Sequence, residues 1–279
     1  MIIVNITGQF GNQMFQYALG RHLEMLGKDV IYYTGYFRKR QEHDLALPRI
    51  FGIHLREASR NQVLACREDR HRIIDRIRRK LFGRRERVFT EIGSKVYNYR
   101  PDVFEVKRGL IDGYWQSERY FQSVADVICK DYTFLDVSER NRELASEMAA
   151  NTSVAIHVRR GDYVGCYPVM DVSYYNRAMD YFVKKYDSVH FYVFSNNLSW
   201  CRDNLKADKI TFVDWNTGKD SPYDMWLMTQ CRHNIIANSS FSWWGAWLNK
   251  HEGKEVIAPR EWFYHAETPD IYCPGWIVI

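Results

Sequence analysis

The chain has 279 residues, 46% hydrophobic, 26% charged and 15% aromatic, enough for one large or two modest soluble α/β domains, each with its own core. Lysine and arginine exceed aspartate and glutamate by 39 − 34 = 5, an excess that suits an anionic ligand and falls short of a nucleic-acid-binding surface. Six cysteines without Cys-x-x-Cys pairing speak against a zinc site, and with no secretory signal at Met1–Ile6 and no run near the ~20 apolar residues of a membrane span, the protein is expected to be cytoplasmic with reduced thiols.

Ile2 to Ile6 is a β-branched run that enters the turn Thr7-Gly8-Gln9-Phe10-Gly11-Asn12-Gln13. From Met14 onward, Tyr17, Ala18, Leu23 and Leu26 take helical spacing, which stops near Gly27, and Val30 to Tyr33 is a second strand. This is the opening βαβ of a doubly wound sheet, with a nucleotide or sugar site expected at its first turn. The glycines are spaced Gly-x-x-Gly and no acidic residue stands at the dinucleotide distance, so a nicotinamide cofactor is not expected.

From Arg67 to Arg87, ten arginines and lysines surround Ile73, Ile74, Ile77 and Leu81, the pattern of a basic amphipathic helix. Two readings stand: a solvated helix packing its isoleucines on the domain, or a peripheral contact with an anionic membrane. Leu110 to Gln116 reads as a strand running into a turn. Ser117 is placed to cap a following helix, and Tyr114 and Trp115 either stack on a sugar or simply pack. Ser138 to Asn151 reads as a helix and hinge, which sets the expected domains at 1–150 and 151–279.

Strand and helix alternation then restarts, with strands expected at Ser153–Val158, Val189–Phe194, Lys209–Val213, Asn234–Ala237 and Glu255–Ile257. Three strand ends carry polar residues: His157-Val158-Arg159-Arg160-Gly161-Asp162, Ser195-Asn196-Asn197, and Asn238-Ser239-Ser240-Phe241-Ser242. In a parallel sheet these share one rim, where ligands bind. Adjacent guanidiniums offer planar forks of donors that neutralise a diphosphate without a metal, the alternative being a surface ion-pair cluster. A helix beginning at Ser240 or Phe241 would aim backbone N–H groups at a phosphate, while Ser239, Ser240 or Ser242 caps it. Asp224, on the preceding helix, is placed to accept from a guanine edge or a ribose hydroxyl. No two aspartates are separated by one residue, so the Asp-x-Asp element that holds Mn²⁺ on a diphosphate in many sugar transferases is missing.

Gly11-Asn12-Gln13-Met14-Phe15-Gln16-Tyr17-Ala18, His157 to Tyr163, Phe194 to Asn197 and Ile235 to Trp247 resemble, in order and across nearly the whole chain, the motifs of the bacterial α-1,2-fucosyltransferases. These form glycosyltransferase family 11, related to protein O-fucosyltransferases and α-1,6-fucosyltransferases. Gly113 to Glu118 also resembles a family segment, with Trp115 where many members carry Phe. The resemblance implies a GT-B fold: two Rossmann-like domains facing a cleft, the second binding GDP-fucose and the first mainly the acceptor. It implies that Arg159 binds the diphosphate, with Arg160 beside it or fixing the loop, and that His157 reaches the nucleotide. Asn12 would cross to the donor phosphate, Ser239, Ser240 and Phe241 would close the phosphate and base pocket, and Asp224 would hold guanine or ribose. Ser195 joins this donor set, although Ser195-Asn196-Asn197 replaces the Ser-Asp-Asp of many members.

The implied reaction is inverting transfer of L-fucose from GDP-fucose to O2 of a terminal galactoside, with no cofactor and no divalent metal. The acceptor would be a galactose-terminated oligosaccharide or lipid-linked glycan in surface glycan assembly. Asp162 is either the general base or a brace for the arginines, and Asp171 is the fallback base. A noncatalytic carbohydrate-binding protein is the main alternative, and an RNA-binding protein using the segment from Arg67 to Arg87 is a second.

Overall fold

The computed structural model describes residues 1–39, 44–67, 77, 80, 87–91, 98–161, 165, 167–264 and 266–279. Contacts divide the chain into two compact units, Met1–Thr133 and Phe134–Ile279.

In the first unit, β1 (Ile2–Asn5), β2 (Val30–Tyr33), β3 (Val88–Thr90) and β4 (Gly109–Asp112) form a parallel sheet in the order β2-β1-β4-β3. Ile2, Ile3 and Val4 are all buried, as expected of a parallel strand covered on both faces. Helix α1 (Phe10–Met25) follows a turn in which Gly8 adopts φ +77°. A Cβ there would lie 2.9 Å from Asn12 Nδ2, so only glycine lets the chain turn with Asn12 folded over it. Buried Gln16 ties this turn to the end of β4: its Oε1 accepts from Thr7 N at 2.8 Å and its Nε2 donates to Gly113 O at 2.9 Å.

Trp115 is fully buried at φ +57°, stacked on Phe89 with centroids 5.9 Å apart and edge-on to Tyr120 at 5.5 Å. Of the two readings for this ring, packing is the observed one. Glu91 holds the unusual backbone by accepting from the N–H groups of Tyr114 and Trp115. Ser117 caps a short 3-10 turn, Glu118–Tyr120, rather than an α-helix; the helix comes later, at Ala125–Asp131. Most of the basic segment from Arg67 to Arg87 lies outside the described residues; within it Ile77 is helical and 54% exposed.

The second unit begins with α2 (Glu139–Ala149), whose Leu144 and Met148 pack with Tyr192, Phe194 and Leu227. Those contacts place α2 in the second unit, ahead of the boundary expected at Asn151. Then follow β5 (Ser153–Val158), α3 (Val172–Lys185), β6 (His190–Ser195), α4 (Leu198–Asn204), β7 (Ile210–Phe212), α5 (Pro222–Gln230), β8 (His233–Ile235), α6 (Ser240–Leu248), β9 (Val256–Ala258) and β10 (Ile277–Val278). The described strands are parallel in the order β10-β9-β8-β5-β6-β7. The expected strands of this half are all present within a few residues; β3 and β10, each at a sheet edge and at most three residues long, were not foreseen.

The period of two along β5 sorts the core. Val154, Ile156 and Val158 face α3 and pack with Tyr175, Ala178 and Phe182, whereas Ala155 faces the cluster beneath α2 and α5. His157 therefore points to the α2 and α5 side. Tyr174 on α3 donates its hydroxyl to Ile236 O at 2.6 Å, which pins the chain leaving β8. Among the described residues no helix is long and apolar enough to cross a membrane.

Candidate active site

Strand order makes β8, β5 and β6 neighbours, so the three polar strand ends emerge side by side at the carboxyl rim of the second sheet. His157 ends its strand against Phe241 from the first turn of α6, with ring centroids 5.3 Å apart and planes at 29°. It is only 5% exposed, and its Nδ1 is buried without a hydrogen-bond partner among the described residues. Burial, reinforced by the Arg159 charge, pushes the imidazole down to about 3, so His157 is neutral at physiological pH. A neutral ring offers one donor and one acceptor, and suits a polar contact with a nucleotide better than a charge contact with phosphate.

The two arginines have different surroundings. The Arg160 guanidinium lies over the Trp200 ring, 4.2 Å from its centroid, its Nη1 donates to Met170 O at 3.5 Å, and its backbone N–H donates to Asn196 Oδ1 at 3.0 Å. Arg160 is thus held at the end of β5 by stacking and hydrogen bonds, with no ion pair among the described residues. Arg159 is half-buried at the strand end, and its charge is felt at His157. Gly161 then turns at φ +49°, where a Cβ would come 2.7 Å from Asn196 Nδ2. Asp162 lies outside the described residues. Asp171, the fallback base, is the N-cap of α3: its Oδ1 accepts from Tyr174 N at 3.0 Å and Ser173 Oγ at 2.8 Å, and these bonds hold it below the usual carboxylate range. That favours a cap over a base.

After β6, the side chains of Ser195 and Asn197 serve the local backbone, while Asn196 accepts from Arg160 N. Ser195 Oγ accepts from Asn197 N at 2.9 Å, and Asn197 Oδ1 caps α4 by accepting from Trp200 N at 3.1 Å. Ser239 is the N-cap of α6, its Oγ accepting from Phe241 N at 3.3 Å, so one first-turn N–H is used by the cap. Ser240 and Phe241, partly exposed, form the turn beside His157. Asn238 Nδ2 donates to Pro168 O at 2.8 Å and Trp262 O at 3.1 Å, tying the end of the arginine loop to the segment beyond β9.

Asp224, in the first turn of α5, accepts from Asn216 Nδ2 at 2.9 Å. It keeps a sliver of solvent contact yet is closely surrounded, and burial pushes its carboxyl up to about 7 against the smaller opposing effect of the Asn216 hydrogen bond. Asn12 belongs to the first unit, where its Oδ1 accepts from Gln116 Nε2 at 2.8 Å. His157, Arg159, Arg160, Ser195, Ser239, Ser240 and Phe241 are therefore gathered on one rim, with Asn216 in the connection after β7 and Asp224 in the first turn of α5.

Residues 105–279 match the family model described as glycosyl transferase family 11. The chain belongs to that family. It is 29% identical to an Escherichia coli alpha-1,2-colitosyltransferase over 100% of this chain and 99% of that protein. It is 30% identical to a Hylobates lar galactoside alpha-(1,2)-fucosyltransferase 2 over 89% of this chain and 69% of that protein. In fold it is similar to the crystal structure of fucosyltransferase NodZ from Bradyrhizobium, with a TM-score of 0.51 and 15% identity over 88% of this chain and 90% of that one. The expected GT-B class of α/β fold is the one found.

For a family 11 glycosyltransferase, the residues that sequence reasoning missed are supports. Trp200, Asn216 and Gln116 reach candidate residues through side-chain contacts, and Asn141 reaches Asp224 by way of Asn216. The one available signal was the Trp215-Asn216 pair shortly after a strand, in a connection at the ligand-binding rim.

Proposed function

We propose that this family 11 enzyme transfers L-fucose from GDP-fucose to O2 of a terminal galactoside, with inversion at C1 and without a divalent metal, in surface glycan assembly. The observation that carries the reading is the rim itself: Arg159 stands at the end of β5 between a neutral, buried His157 stacked on Phe241 and Arg160 stacked on Trp200. As fucose C1 leaves the β-phosphate oxygen, negative charge builds on GDP, and a fixed guanidinium meets that charge without reorganising. Arg159 is assigned that role. The neutral His157 and the Ser239-Ser240-Phe241 turn are assigned to the nucleotide, Asp224 to the base, and Asn12 to the donor phosphate from the first unit.

The missing Asp-x-Asp element supports arginine in place of a metal. The acceptor and linkage are drawn from the names of the gibbon and E. coli relatives. Asp162 is proposed as general base or arginine brace. Peripheral membrane contact through the segment from Arg67 to Arg87 completes the proposal, supported by exposed Ile77 among basic residues.

A specific observation favours a second donor: the E. coli relative aligned over the full chain is named for colitosyl transfer, and colitose is 3-deoxy-L-fucose. One experiment tests both. The protein is incubated in EDTA with GDP-fucose or GDP-colitose and a panel of β-galactosides, and the product linkage is assigned by NMR. An α-1,2 product in EDTA supports the reading; turnover that needs Mg²⁺ or Mn²⁺, or a product at another hydroxyl, refutes it.

A further inference from the structure

Behind Asp224 runs a chain of hydrogen bonds whose polarity is set at its far end. Trp215 Nε1 donates to Asn141 Oδ1 at 2.8 Å. An indole nitrogen can only donate, so the Asn141 oxygen is fixed as acceptor and its NH₂ is directed elsewhere. Asn141 Nδ2 donates to Asn216 Oδ1 at 3.1 Å, which leaves Asn216 Nδ2 to donate to Asp224 Oδ1 at 2.9 Å. The same nitrogen lies 3.2 Å from Asn141 Oδ1, closing the pair of amides on each other. Amide orientation is ordinarily ambiguous, but here the indole decides it for both asparagines.

The chain is also mechanically anchored. Asn141 is fully buried on α2, and Arg140 lies over the Trp215 ring, 3.8 Å from its centroid. Trp215 and Phe241 pack against one apolar cluster that includes Phe194, Val213 and Leu227, so the relay and the His157 stack share a floor. With Oδ1 engaged from behind by Asn216, the Asp224 carboxylate cannot rotate freely. A carboxylate held in one orientation complements the guanine edge, where N1–H and the 2-amino group are adjacent donors. Adenine presents an acceptor at N1 and no 2-amino group.

We propose that Asn141, Asn216 and Trp215 are positioning residues that hold the Asp224 carboxylate in the orientation that reads the N1–H and 2-amino edge of guanine, making donor selectivity a property of this relay. The proposal rests on the reading that the second unit binds a guanine nucleotide.

The test compares GDP with IDP, which lacks the 2-amino group, by calorimetric titration of the full chain. The parent is expected to prefer GDP by about tenfold, the scale of one hydrogen bond to a charged group. Asn216→Leu and Trp215→Phe are expected to bring that preference below about threefold, and in turnover to raise the KM for the GDP-sugar more than they lower kcat. Trp215→Phe keeps the ring under Arg140 and removes only the donor, so it carries the test if a variant at buried Asn141 or Asn216 does not fold. A merely structural relay would lower stability and leave the GDP to IDP ratio unchanged. If Asp224→Asn abolishes the preference while Asn216→Leu and Trp215→Phe retain it, the relay is overturned and the nucleotide reading stands. If the parent binds GDP and IDP equally, or binds neither, base selectivity fails, in the latter case with the donor reading itself.

Discussion

Gln116 Nε2 donates to Asn12 Oδ1 across 2.8 Å, joining two stretches 104 residues apart in the chain. Gln116 is 5% exposed and Asn12 partly so, which shields the Gln116 side of this bond from water and makes losing its partner costly. It commits the Asn12 oxygen to Gln116, so that under the proposed function the Asn12 NH₂ is the group that would donate to the donor phosphate. Gln116→Glu is nearly isosteric but turns the donor into an acceptor, and the Asn12 amide is then expected to flip. The KM for GDP-fucose should rise about tenfold, the effect of roughly 1–1.5 kcal/mol of misplaced hydrogen bonding. Lowering the pH should restore part of the loss, because a protonated glutamate donates again. Initial rates across donor concentration and pH check this, and an unchanged KM would separate Asn12 from the donor.

The role assigned to Arg159 has a magnitude. Removal of one preorganised donor to a developing charge typically costs about 3–4 kcal/mol, some hundredfold to thousandfold in kcat. Arg159→Ala should show that loss in EDTA, with Arg159→Lys intermediate because an ammonium keeps the charge but not the fork. A kcat for Arg159→Ala within about threefold of the parent, below ~1 kcal/mol, would remove the arginine from the mechanism.

How much of this was legible beforehand divides along a physical line. Strands β1, β5 and β6 announce themselves because a parallel strand buried on both faces must be a run of β-branched and aromatic residues, and their polar ends follow from where such runs stop. Edge strands β3 and β10 bury little and carry no comparable run. The rim residues His157, Arg159 and Ser239 could be read from strand ends, whereas Gln116 and Asn141 reach their partners only through tertiary contacts that no local spacing encodes. Packing, not propensity, decided Trp115. The division at Thr133 was missed because α2 looks like a polar hinge helix, although Leu144 and Met148 bind it to the second core.

Asp224 makes the protein sensitive to pH near neutrality. Its carboxyl is raised to about 7 in the fold, by burial, from an ordinary 3.8. A raised carboxyl keeps its proton in the folded state after the unfolded chain has lost it. Its contribution to stability is therefore full below about 4 and is lost as pH climbs to about 7. Asp224→Asn, which never ionises, should be more stable than the parent at pH 8, by on the order of 2–4 kcal/mol, with the gap narrowing toward pH 4. If Asp224 meets the base as proposed, binding runs the other way, since guanine donors need the carboxylate. GDP affinity should rise between pH 5.5 and 7.5 and then level off, with proton release visible as a buffer-dependent heat. His157 is neutral throughout that range and adds nothing to the slope. Ionisation of GDP itself is common to both proteins, so the part of the slope that disappears in Asp224→Asn belongs to Asp224. If no part disappears, the carboxyl does not meet the base.

Arg160 is the neighbour that should behave differently from Arg159. Its guanidinium is used on Trp200 and Met170 O, and its N–H on Asn196. Arg160→Lys keeps a positive charge in the loop but gives up the planar stack, worth roughly 0.5–1 kcal/mol at a partly exposed site. Thermal unfolding should drop by about 1–3 °C. Activity should fall only as far as the loop carrying Arg159 loses its geometry, so Arg160→Ala is expected to cost about tenfold where Arg159→Ala costs some hundredfold to thousandfold. Trp200→Leu removes the same stack from the other side. If Arg160 acts through the loop, Arg160→Ala and Trp200→Leu should be strongly non-additive, since either one already frees it. If Arg160 instead touches the diphosphate, its alanine variant should match that of Arg159 and the two single effects should add. A double-mutant cycle in kcat/KM, run beside Tm on the same four proteins, separates these outcomes.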